Sequence, residues 1–93
     1  MSSPQRIQLS RAKGWRKPAD AIVVSRPTRW GNPFPVGEFG RDEAVRRYRE
    51  LVTSAADIME TIRRDLAGHD LACWCKLSEP CHADVLLDVA NNP

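Results

Sequence analysis

The sequence predicts an α/β protein: a small single-domain sandwich over residues 1–93, with a short, mainly parallel sheet flanked by about three helices. Three observations carry that expectation. Ala21-Ile22-Val23-Val24-Ser25 is a β-branched apolar run without alternation, as a strand buried on both faces requires. Two stretches with apolar residues at helical spacing follow, over 41–53 and 55–66. A second apolar run, Asp70 to Cys75, comes after them. A crossover through helices of that length favours parallel strands with the helices covering the sheet.

Each element has its own signal. Arg6-Ile7-Gln8-Leu9 alternates weakly and reads as a short edge strand. The strand over 21–25 stops at Arg26-Pro27, and RPTRWGNPFPVGEFG then holds three prolines and three glycines, too many for a helix or a central strand. This segment is read as an ordered or binding loop. Ala44, Val45, Tyr48, Leu51 and Val52 form the inward stripe of the first helix. Ser54 reads as the N-cap of the second, whose stripe of Ala55, Ile58, Met59, Ile62 and Leu66 runs to Gly68, a natural residue just past a helix end. After Lys76-Leu77-Ser78-Glu79 a last helix is expected to open at Pro80 and reach about Ala90, burying Val85, Leu86 and Val89.

The totals limit the function classes. With 42% hydrophobic residues the chain can bury one core, and no apolar run approaches the roughly 20 residues that cross a bilayer. The N-terminus MSSPQRIQLS has no continuous apolar segment, so a soluble, cytoplasmic protein without a membrane partner is expected. Three cysteines cannot pair completely, and a reducing compartment favours metal binding or thiol chemistry for them. Residues 1–30 hold seven Lys/Arg against Asp20 alone, a net of +6, while the remainder has seven against eleven, a net of −4. A basic first third carrying Trp15 and Trp30 suits a phosphate-bearing partner, either a phosphorylated small molecule or nucleic acid. Residues 1–20 are read as a basic, partly flexible segment of the single domain.

CWCKLSEPCH, residues 73–82, holds every cysteine and one of the two histidines. Cys73, Cys75, Cys81 and His82 are four good zinc ligands. The spacing argues against all four acting together. Residues two apart on a strand have Cα atoms about 6.6–7 Å apart, whereas thiolates at ~2.3 Å from one tetrahedral ion sit nearer 4 Å from each other. A complete site needs the strand to bend at Trp74, or one ligand to drop out. In the thiol reading, Cys81 stands at the second position of the last helix, where unsatisfied N–H groups favour thiolate and keep His82 neutral. Asp84, three residues after Cys81, is placed to orient a partner or hold an incoming donor. Cys73 is expected to be the most inert of the three, a small apolar residue in a strand, and His69 a surface histidine.

In parallel sheets ligands bind beyond the carboxyl ends of the strands, which is where RPTRWGNPF and CKLSEPCH both lie. The two loops are therefore expected to face one crevice. Arg26, Arg29 and Asn32 fall within seven residues, with Gly31 freeing the backbone and Pro27 and Pro33 stiffening it, a pattern suited to phosphate, carboxylate or a base edge.

GWRKP at 14–18, VVSRPTRWGNPF at 23–34 and LACWCKLSEPCHADVLL at 71–87 resemble the bacterial and phage family known as domain of unknown function 4326. The resemblance covers nearly the whole chain. It implies that Arg26, Trp30, Gly31, Asn32, Pro33, Phe34, Cys73, Cys75, Cys81, His82 and Asp84 are motif positions, with Ser25 where a glycine is expected. It supplies no reaction. The leading reading is a small protein binding a nucleotide-like or other phosphorylated ligand between the WGNPF loop and the CWC...PCH segment, lined by Arg26, Arg29, Trp30, Gly31, Asn32 and Cys75. Its catalytic version has Cys81 as nucleophile, His82 as proton carrier, Asp84 as orienting group and the arginines as anion clamp. The alternatives are a zinc-stabilised nucleic-acid-binding module and a phage or bacterial adaptor for another protein.

Overall fold

A computed structural model describes residues 4–26 and 28–92. Three short strands, β1 (Arg6–Gln8), β2 (Ile22–Val23) and β3 (Leu71–Cys73), form one parallel sheet in the order β1-β3-β2. Four helices accompany it: α1 (Val36–Phe39), α2 (Arg41–Val52), α3 (Ala56–Leu66) and α4 (His82–Asn91). The small parallel α/β fold expected from the sequence is the one observed.

β3 is the central strand and is buried throughout its length. Leu71, Ala72 and Cys73 are all buried, and both neighbours align on them, Arg6 and Ile22 each pairing with Leu71. Backbone bonds extend the ladder at both ends: Leu71 N–H to the Gln5 carbonyl, Val24 N–H to the Ala72 carbonyl, and Leu9 N–H to the Cys73 carbonyl at 2.8 Å. The basic N-terminal segment thus contributes an edge strand.

α4 packs against α3, α2, β1 and β3, so its buried residues Val85, Leu86 and Val89 join Ile62, Leu66, Val24 and Leu71 in one core. α3 stops as the sequence indicates: Gly68 adopts φ +80°, a left-handed conformation that costs glycine little and other residues more.

Local expectations shift in four places. The strand read over 21–25 is regular only at Ile22–Val23: Val24 still donates to the Ala72 carbonyl, and the chain bends into the loop at Ser25. The loop over 26–40 contains α1, a single short helix after Pro35. Ser54 does not cap α3: its hydroxyl donates to the Leu51 carbonyl, and Ala55 takes the N-cap position. The last helix opens at His82 rather than Pro80, with Cys81 as N-cap. Pro27, expected to stiffen the loop, lies outside the described residues.

Candidate functional site: a three-cysteine cluster beneath an arginine-lined hollow

β3 ends at Cys73 and the chain bends through Trp74 and Cys75. That bend removes the spacing objection of a straight strand. The Cys75 sulfur turns back to 3.7 Å from the Cys73 sulfur, and the Sγ atoms of Cys73, Cys75 and Cys81 all lie within 4.8 Å of one another. Tetrahedral bonds of ~2.3 Å place two thiolates about 3.8 Å apart, so the Cys73–Cys75 separation already matches a shared ion. Cys73 is therefore a member of the cluster rather than an isolated core residue.

Two arginines outside both motifs hold this arrangement. Arg6 has a side chain only 7% exposed, and its guanidinium donates to the carbonyls of Lys76 (3.0 Å) and Leu77 (2.8 Å) and to the Asp84 carboxylate (3.2 Å). It ties the cysteine loop to the start of α4. Arg41, at the head of α2, reaches the same loop: Nη1 donates to the Cys75 sulfur at 3.4 Å and the Pro80 carbonyl at 3.2 Å, while Nε pairs with Glu79 at 2.9 Å. The sequence signal for both was a cation at an element end, which many surface arginines share.

Cys81 stands at the N-cap, two steps before the second helical position expected for it. Its backbone N–H donates to the Asp84 carboxylate at 3.0 Å, a reciprocal capping contact. Asp84 is thereby engaged with the helix start and Arg6 rather than facing the sulfurs. The Cys73 thiol, donating to Cys81, holds Cys81 below the usual thiol range, with the Ala83 amide adding to the effect. The same contact and burial push Cys73 up.

His82 is buried beside the cluster without joining it. Its Nε2 donates to the Val24 carbonyl at 2.7 Å, its Nδ1 faces the Cys81 sulfur at 3.6 Å, and its ring lies 5.1 Å from that of Tyr48. Of the four ligands read from the sequence, the three sulfurs form the group that meets the distance limit.

The sulfurs lie beneath a hollow of about 270 Å³ whose lining includes Arg26, Asn32, Phe34 and Arg41. Asn32 is spent on structure: its amide donates to the Ala44 carbonyl and its oxygen accepts from the Phe34 N–H, which binds the loop to α2. Gly31 leaves room for Arg26, since a Cβ there would lie 2.9 Å from Arg26 Cγ and 3.1 Å from its Cα. Arg29 and Trp30 fall on the other side of the loop. They stack on each other at 4.7 Å, Arg29 lies 3.7 Å from Asp65, and both line a separate apolar hollow of about 500 Å³ against α2 and α3. The single crevice expected for Arg29 and Cys81 is thus two hollows, divided by the loop.

Fold and site together define a small parallel α/β protein with a three-thiol cluster at the carboxyl end of its central strand. The chain belongs to the family described as a domain of unknown function, DUF4326, whose model matches residues 7–92. Neither a curated protein nor a solved structure matches it. Among the described residues no helix is long and apolar enough to cross a membrane.

Proposed function

We propose that Cys73, Cys75 and Cys81 hold a divalent metal ion of the zinc class, and that this ion forms the floor of a site for a small phosphorylated ligand. The convergence of three sulfurs within 4.8 Å carries the reading. Thiolates are soft ligands suited to zinc, and a three-ligand site leaves a position for something else. Arg41, donating to the Cys75 sulfur, offsets part of the thiolate charge from outside the coordination sphere. Arg26 and Arg41 are the charged groups lining the hollow, which favours an anionic ligand. Elemental analysis of the purified protein is expected to give one zinc per chain, blocking alkylation of the cysteines until a chelator is added. Metal-free protein in which Cys81 alone reacts rapidly with iodoacetamide would replace this reading with the thiol one.

A second reading concerns nucleic acid. Trp74 is exposed at the end of β3 with the guanidinium of Arg11, from the basic third of the chain, 5.0 Å from its ring centroid, so that an indole and a cation lie side by side. Such a pair suits base stacking beside a phosphate. Binding of single-stranded DNA that weakens steeply with salt and is lost in Trp74→Ala supports it; salt-independent binding or none refutes it.

A further inference from the structure

We infer that the fourth position of the metal is filled by an oxygen of the ligand, and that the site selects a terminal phosphate, inorganic or monoester, over a phosphodiester or a carboxylate. This rests on the metal reading above and adds what completes the ion.

His82 is the adjacent further donor. Its Nε2 is spent on the Val24 carbonyl at 2.7 Å and its Nδ1 lies 3.6 Å from the Cys81 sulfur, but the group of atoms that all lie within 4.8 Å of one another contains the three sulfurs and no histidine or carboxylate among the described residues. A tetrahedral ion on three thiolates therefore presents its remaining position to the hollow. The hollow is compact, about 270 Å³, the space of roughly nine liquid waters.

Selectivity follows from counting acceptors. The site offers three separate points of attraction: the ion, Arg26 and Arg41. Arg41 spends Nε on Glu79 and Nη1 on Cys75 and Pro80, and Arg26 spends Nε on the Asn32 carbonyl at 2.7 Å. Their remaining N–H groups have no protein partner among the described residues. A phosphate monoester has three terminal oxygens, one for each point. A phosphodiester and a carboxylate have two, so one point stays unanswered and its desolvation is uncompensated.

Cobalt(II) in place of zinc makes the fourth position visible, because its absorption bands report the ligand set. With inorganic phosphate or phenyl phosphate, the visible bands of the cobalt protein are expected to shift saturably while the sulfur-to-cobalt charge-transfer bands persist. Dimethyl phosphate and acetate at equal concentration are expected to leave the spectrum unchanged. Arg26→Met, which touches no sulfur, is expected to raise the half-saturating phosphate concentration about tenfold with cobalt stoichiometry still one per chain. A cobalt–thiolate spectrum insensitive to phosphate, an equal response to acetate, or a spectrum changed by His82→Gln before any anion is added would each overturn the inference while leaving the metal site standing. Absence of cobalt binding would overturn both.

Discussion

The two faces of the WGNPF loop differ in size and in chemistry. Toward α2 and α3, Arg29 and Trp30 border a hollow of about 500 Å³, wide and largely apolar. Toward α4, Arg26 and Arg41 border one of about 270 Å³, at whose base three sulfurs converge. Among the described residues the larger space gathers no group of metal-ligating side chains, whereas the smaller one has soft ligands and cations together. Volume alone therefore does not locate the chemistry. Loop residues only a few positions apart also belong to different sites, because the chain crosses the sheet end and shows its sides to different helices.

The largest effect that sharpens this contrast is loss of the cluster. Cys75→Ser and Cys81→Ser are each expected to abolish stoichiometric zinc. With zinc at about 100 times its Kd the forfeited stabilisation is about 2.7 kcal/mol, roughly 10–20 °C in Tm for a domain of this size. Differential scanning calorimetry with and without chelator checks this; equal Tm values in wild type and variants would count against a metal that supports the fold.

Gly31→Ala comes next, because the new Cβ meets Arg26 Cγ and Cα and either the loop or Arg26 must move. A loss of about 1–3 kcal/mol is expected, together with weaker phosphate binding on the small side. Urea unfolding and the cobalt titration measure the two parts.

Tyr48→Phe probes the strut between the hollows. The hydroxyl donates to the Trp30 carbonyl at 2.7 Å, and burial raises the Tyr48 pKa. Removing it is expected to cost about 1 kcal/mol, seen in urea unfolding, without changing zinc stoichiometry. The sign of the pH effect follows from the raised value: the folded state favours neutral phenol, so this contribution is complete below the ordinary phenol range and is lost as pH rises from that range through the raised value of the folded state.

Zinc linkage carries the opposite sign. Cys73 is pushed up by its contact with Cys81 and by burial, so it enters the site as a thiol and must release its proton to bind metal. Zinc affinity is expected to rise with pH through the thiol range, and titration calorimetry in two buffers of different ionisation enthalpy should show proton release.

The smallest effect is the sharpest test of the division. Arg29→Ala is expected to change stability by no more than about 0.5 kcal/mol and to leave zinc and phosphate binding untouched. Combined with Cys81→Ser its stability effect should add within about 0.3–0.5 kcal/mol, since the two lie on different sides of the loop. A larger coupling would restore the single crevice expected from sequence.

Much of the fold was legible because its signals are local. The unbroken apolar run at Leu71-Ala72-Cys73 marked the central strand, the stripe from Ile58 to Leu66 marked α3, and Gly68 marked its end. The candidate site was legible as a set of residue types at the carboxyl ends of the strands, as parallel topology requires. Tertiary structure alone decided how that set is sorted. The bend at Trp74 that gathers the sulfurs is held by Arg6, some 70 positions away, and Cys75 is met by Arg41 from 34 positions away. Asn32 and Asp84 are taken by backbone partners, and Arg29 is turned to the other hollow. The physical reason is range. Periodicity, turn residues and helix ends are set by neighbours in the chain, whereas the direction of a side chain in an irregular segment is set by distant groups that fold against it.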